Sequence, residues 1–238
     1  MLKRGDGFGR LGIGVPYFKG SYDFFRWWTW LLAGGLENDD QLLNTADVPG
    51  EVPIPTAHNA IVREFLRGPC DTLCILEDDH IGPQDVIRQM RTKAENLDFD
   101  VVCANYTNRR GTPYPMGWLF GDSDARGHSC VFRLDRVMET GTQEVDGAGL
   151  GLVLIRRWML EAILEQAGGK PQECFWFNWK GDNSQDIDFY YQIKQLGARV
   201  GVDRDARIGH IGKYTWRFED FIRWRDASQA QQEVTQDG

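Results

Sequence analysis

Glu77, Asp78, Asp79 and His80 follow directly on the apolar run TLCIL at 72–76. In open α/β sheets, ligands bind beyond the carboxyl ends of strands. Strand side chains alternate, so Glu77 and Asp79 share one side and Asp78 points away. Two carboxylates on one side suit a hard divalent cation that also takes phosphate oxygens. Alone they repel, so a cation or a raised pKa is expected. The plainer alternative is a solvated turn whose acids favour the positive end of a helix beginning near Pro83.

Other residues with chemical potential are spread along the chain. Asp186 falls in the first turn of a helix expected over 185–196, where the helix dipole alone favours a carboxylate. Asp188 sits two residues on, on a different helix face. His210 is flanked by Gly209 and Gly212, and is either a structural histidine or a ligand. Asp146, Gly147, Ala148 and Gly149 offer either close backbone approach or a tight turn into a strand at 150–155. Without a third glycine the run is not a dinucleotide fingerprint. Arg109 and Arg110 follow an expected strand at 99–104, either as surface residues or as bidentate partners for phosphate. The aromatic run FWFNW at 175–179, with Trp118 and Trp216, suits either core packing or the apolar faces of sugars.

Short apolar runs alternate with helical patterns along the first half. Strands are expected at 10–15, weakly at 41–46, at 72–76 as a buried run, and at 99–104. Ser21 reads as the N-cap of a helix with Phe24, Phe25, Trp27, Trp28, Leu31 and Leu32 on one broad face, ended by Gly34 and Gly35. Thr56 reads as the cap of a second helix over 57–67 carrying Ile61, Val62, Phe65 and Leu66, stopped by Gly68 and Pro69. Pro83 suits the first turn of a third, with Val86, Ile87 and Met90 inward. This alternation implies a parallel sheet with right-handed crossovers. From 105 to 155 the pattern breaks into short β-like pieces. Helices at about 157–166 and 185–196 and two short strands within 198–212 follow.

The chain has 238 residues, 42% of them hydrophobic and 12% aromatic, which fits a folded α/β chain and excludes general disorder. Lys and Arg number 27 against 35 Asp and Glu, a formal net charge of -8. A nucleic-acid partner is therefore not expected, since phosphate neutralisation needs clustered basic residues. No window of about 18 uninterrupted apolar residues exists, so no transmembrane segment is expected. The run at 24–35 is too short and carries Arg26. The basic N-terminus lacks the apolar core of a secretory signal. Five cysteines, an odd number without C-x-x-C spacing, fit reduced thiols and a cytoplasmic location.

The stretch CDTLCILEDDHIGPQDVIRQM resembles the strand, acidic motif and following helix of GT-A glycosyltransferases, most like small family-two-type bacterial and phage members. HNAIVREFL at 58–66 is similar to their Arg-Asn helix, with His58 in the place of the arginine. VDGAGLGLVLIRRWML at 145–160 resembles their glycine-rich segment, and SQDIDFYYQIKQLGARVGVD at 184–203 their acidic helix and strand, with Gln185 where a Glu is usual. IGHIG at 208–212 resembles the terminal histidine motif. The blocks lie in family order over roughly 10–215.

The resemblance implies a GT-A, Rossmann-like α/β fold with a mostly parallel central sheet flanked by helices and an irregular acceptor-side second half. It implies one domain over 1–225, with a nucleotide-sugar-binding half at about 10–105, an acceptor-side half at about 106–225, and a flexible tail at 226–238. It implies a metal-dependent transfer of a sugar from a nucleotide-diphosphate sugar, a UDP-sugar being the usual donor, to an acceptor hydroxyl. A divalent cation, Mn2+ or Mg2+, would be the cofactor. Asp79 would be a direct metal ligand, His210 the third protein contact, and Glu77 a contact through water or to the ribose. Glu77, Asp78, Asp146, Gly147 and Arg109 would bind the donor. Asp186 would be the general base if configuration inverts. The acceptor is expected near Trp176 and Trp179. A nucleotidyltransferase is an alternative, although residues 16–22 carry one basic residue, Lys19, where a triphosphate loop needs more. A non-catalytic nucleotide-sugar or carbohydrate binder is the other.

Overall fold

A computed structural model describes residues 8–16, 20–43, 52–109, 112–124, 127–131, 136–180, 183–212 and 214–236. Strand β1 (Leu11–Gly14) leads into helix α1 (Tyr22–Gly34), then β2 (Gln41–Leu42), α2 (Ile54–Arg67), β3 (Thr72–Leu76), β4 (His80–Ile81), α3 (Val86–Leu97) and β5 (Val101–Asn105). The second half holds β6 (Gly117–Asp124), β7 (Gly127–Val131), β8 (Thr142–Val145), β9 (Gly147–Ala148), β10 (Leu152–Arg156), α4 (Arg157–Gln166) and α5 (Gln185–Gln195). It closes with β11 (Val200–Arg207), β12 (Gly209–Ile211), β13 (Thr215–Trp216) and α6 (Phe218–Gln236).

The central sheet has seven strands in the order β2-β1-β3-β10-β5-β11-β8. Five run one way. β10 is antiparallel to both β3 and β5, and β8 is antiparallel to β11. β3, β5 and β10 are buried along their whole lengths, as strands covered on both faces must be. One apolar cluster packs α2, α4 and α5 on one face; another packs α1 and α3 on the other.

Local signals explain most helix ends. The Ser21 hydroxyl accepts the Phe24 N–H at 3.1 Å, and the Gly35 N–H donates to Leu31 O. The buried face of α1 is narrower than the expected six residues: Phe24, Trp27 and Leu31 are buried, whereas Phe25 and Leu32 are exposed. α2 begins at Ile54 after Pro53, not at Thr56, because a proline's fixed φ favours a helix start. α3 starts at Val86, leaving Pro83 in the turn before it. Helix α6 runs to Gln236, through the segment expected as a tail. All five cysteines are free.

Two small sheets stand beside the large one. β12 pairs with both β4 and β13, and β6 pairs with both β7 and β9. β11 reaches β12 through an irregularity between Asp203 and Arg207. Such a bulge bends its strand, and here the chain leaves the large sheet to pair Gly209 with Ile81 and His210 with His80.

Candidate metal and sugar-nucleotide site

The acidic run turns rather than extends. The His80 N–H reaches Glu77 O at 3.3 Å, and residues 78–79 form the turn. Strand alternation therefore does not apply beyond Leu76, and the expected pairing of Glu77 with Asp79 on one side is corrected. Asp79 instead joins His80 and His210, with one potential ligand atom from each lying within 4.8 Å of the others. Asp79 Oδ2 lies 3.3 Å from His210 Nε2, and Asp79 Oδ1 lies 2.8 Å from His80 Nδ1. The two imidazoles stack, their centroids 4.4 Å apart. Tyr106 stands edge-on to both rings and accepts the Gly151 N–H through its hydroxyl.

These atoms have the character of a ligand set. Asp79 Oδ1 and both His80 ring nitrogens are buried, and Oδ1 and Nδ1 are each other's polar neighbours. His210 Nδ1 lies 3.0 Å from Thr107 O, an atom that only accepts, so Nδ1 carries the hydrogen. With Nδ1 turned to that carbonyl, Nε2 faces the Asp79 carboxylate, where a proton shared with Asp79 or a cation would sit. An imidazole fixed by a carbonyl on its other nitrogen is the usual arrangement of a metal-binding histidine.

The surroundings shape the charges. Burial would raise the Asp79 carboxyl, but the interactions of His210 and His80 outweigh it and hold it well below the usual range. Burial lowers His80 to about 4. Glu77 is pushed up to about 8, by burial first and then by the charges of Asp79, Asp186 and Asp78, against Arg109. Glu77 stands outside the three-residue group and lies 3.6 Å from the buried His58. Burial lowers His58 to about 3, so the pair meets a neutral imidazole.

The other expected residues divide. Arg109 arrives at the cluster: its Nη1 lies 2.5 Å from Asp79 Oδ2 and 3.0 Å from Ile211 O. Arg110 lies outside the described residues. Asp78 sits half-buried in the turn. Asp186 is in the first turn of α5, bound by the Ser184 hydroxyl and the Ile187 N–H. Its charge helps to raise Glu77 and Tyr106. Burial raises its own carboxyl. Asp188 is buried and accepts from Gln192.

Asp146 is engaged elsewhere, by the Phe120 N–H at 2.7 Å and by Lys194. A Cβ on Gly147 would fall 2.7 Å from Trp118 Nε1 and 2.9 Å from Tyr190 Cβ. Its bareness serves packing, which corrects the expected loop against a donor. A Cβ on Gly149 would strike the Tyr106 hydroxyl, and one on Gly151 the His80 ring. The glycine-rich run thus lets the walls of the site close up. Trp176 is also corrected: it is 0% exposed and donates its Nε1–H to Leu160 O, which makes it a core residue. Trp118 and Phe177 are buried too, whereas Phe175 and Trp179 are exposed, Trp179 by 57%. His80 and Tyr106 were missed. His80 was visible only as the residue ending the acidic run, and Tyr106 as the residue after β5.

The sheet order and the cluster beyond β3 define a GT-A glycosyltransferase-like fold. The A197 protein from STIV shares it with a TM-score of 0.55 and 20% identity, over 85% of this chain and 86% of that one. GalNAc-T7, solved with UDP, GalNAc and Mn2+, matches with a TM-score of 0.54 and 12% identity, over 90% of this chain but 44% of its own. No protein-family model and no curated protein matches the sequence. At these identities the likeness is one of fold. Among the described residues no helix is long and apolar enough to cross a membrane.

Proposed function

We propose that the protein is a metal-dependent glycosyltransferase moving a sugar from a nucleotide-diphosphate sugar to an acceptor hydroxyl. The observation that carries this reading is the Asp79, His80 and His210 group, its potential ligand atoms drawn together beyond the end of a GT-A sheet strand. These three residues would hold the ion. Two imidazoles favour a transition metal over Mg2+, and GalNAc-T7 was solved with Mn2+ and UDP. When bound, such an ion neutralises charge developing on a diphosphate leaving group.

The chain's own residues supply the rest. Arg109, beside Asp79, would share a phosphate oxygen through its guanidinium fork. Glu77 and Asp78 would meet the donor's polar parts. Asp186, its carboxyl raised by burial, would take the proton from the acceptor hydroxyl if configuration inverts. Phe175 and Trp179, the exposed rings of the 175–179 run, would meet an acceptor.

The test is nucleoside-diphosphate release from a panel of UDP-sugars, with Mn2+ and with EDTA. Release that needs Mn2+ and disappears in Asp79→Ala supports the reading. Binding of a nucleotide sugar without release contradicts it and leaves a carbohydrate-nucleotide binder. Pyrophosphate release from a nucleoside triphosphate would make it a nucleotidyltransferase.

A further inference from the structure

Across the small β4-β12-β13 sheet from the cluster lies a cleft of about 690 Å³. Successive strand residues point to opposite faces. His80 and His210 stack on one face, and Ile81 lies on the other, against the Gly209 position. Ile81 lines the cleft with residues of α1 and with two arginines that flank the small sheet in sequence.

Three arginines face this space: Arg26 from α1, Arg207 from the end of β11, and Arg217 just after β13. Arg207 is held in place. Its guanidinium donates to the Glu219 carboxylate at 2.8 Å and to the carbonyls of Glu139 and Arg204. Arg26 and Arg217 have no side-chain partner among the described residues. Two uncommitted guanidiniums stand out in a chain of net charge -8, and a bidentate fork matches phosphate or carboxylate. Asp23 shares the lining and accepts from hydroxyls. Trp30, 56% exposed, brings an indole to the same wall. Aromatic faces pair with the apolar C–H faces of sugar rings. The volume lies in the range of small-molecule sites.

We propose that this cleft binds a sugar ring carrying an oxyanion, a phosphate or a carboxylate, at a site separate from the Asp79 cluster. The arginines take the anion, Asp23 the hydroxyls, and Trp30 the ring. The proposal stands on the cleft's own residues and does not require the transferase reading.

The test titrates the full chain, without added metal, with glucose 6-phosphate, glucuronate, glucose and inorganic phosphate by calorimetry. One of the two sugar acids binds saturably and about tenfold tighter than glucose or inorganic phosphate, the scale of one charge-assisted bidentate contact. Which of the two is tighter identifies the anion. The double variant Arg26→Ala/Arg217→Ala weakens that binding by about tenfold or more, and Trp30→Ala weakens the sugar acid but not phosphate. Asp79→Ala leaves it unchanged. Absence of saturable binding overturns the proposal. So does affinity unchanged in the arginine variant, binding lost in Asp79→Ala, or inorganic phosphate binding as tightly as the sugar acid.

Discussion

The Asp79 carboxylate meets the His80 and His210 imidazoles because the chain turns immediately after Leu76. That turn was not legible in the sequence. The residue types were, and so was their place at the end of a buried strand. Placing Glu77 and Asp79 on one strand face assumed extended backbone, and a single bond from the His80 N–H to Glu77 O removes that assumption, although the Asp79 charge still reaches Glu77. Asp186 was singled out by its position in the helix, and its charge is one of those that raise Glu77. Asp186→Asn should keep nucleotide-sugar affinity and lower turnover by about 10²–10⁴-fold, the scale of a proton-transfer group. Equilibrium binding and initial rates on the same variant check this, and full turnover would remove Asp186 from the chemistry.

Helices and strands set which aromatics are available. Periodicity located β3, α4 and α5 within a residue or so, because their apolar runs are bounded by clear stops such as Gly197, whose φ is +77°. FWFNW at 175–179 has no such periodicity, and its rings divide only through tertiary packing: Trp176 and Phe177 inward, Phe175 and Trp179 outward. Trp176→Ala should therefore cost about 3–5 kcal/mol of stability, the usual range for a buried Trp truncated to Ala. Trp179→Ala should stay within about 0.5 kcal/mol, as surface changes do. Denaturant unfolding of both variants distinguishes them, and equal losses would contradict the assignment.

The molecule joins its distant parts through a few contacts that local pattern does not reveal. The antiparallel placement of β10 between β3 and β5 was not legible, since its run looks like any buried strand. The bridge from α3 to β11 is another. Lys93 Nζ lies 2.8 Å from Asp203 and 2.6 Å from Asp205. The hydrogen bond from Lys93 holds the Asp205 carboxyl below its ordinary value. A depressed carboxylate contributes stability that is present above its unfolded-state pKa of about 3.9 and lost as pH falls through the lower folded value. The wild-type melting temperature should fall across that acid window, and Asp205→Asn should lack this part of the fall. Parallel curves for the two proteins would contradict the assignment. The Asp79 cluster is likewise a product of the whole chain, since its ligands come from beyond β3 and from β12. The most direct measurement is Mn2+ titration followed by electron paramagnetic resonance of the free ion, on wild type, His80→Ala and Glu77→Gln. The account predicts one saturable Mn2+ site in wild type, kept in Glu77→Gln and lost in His80→Ala. Saturable binding unchanged in His80→Ala, or no binding in wild type, would contradict it.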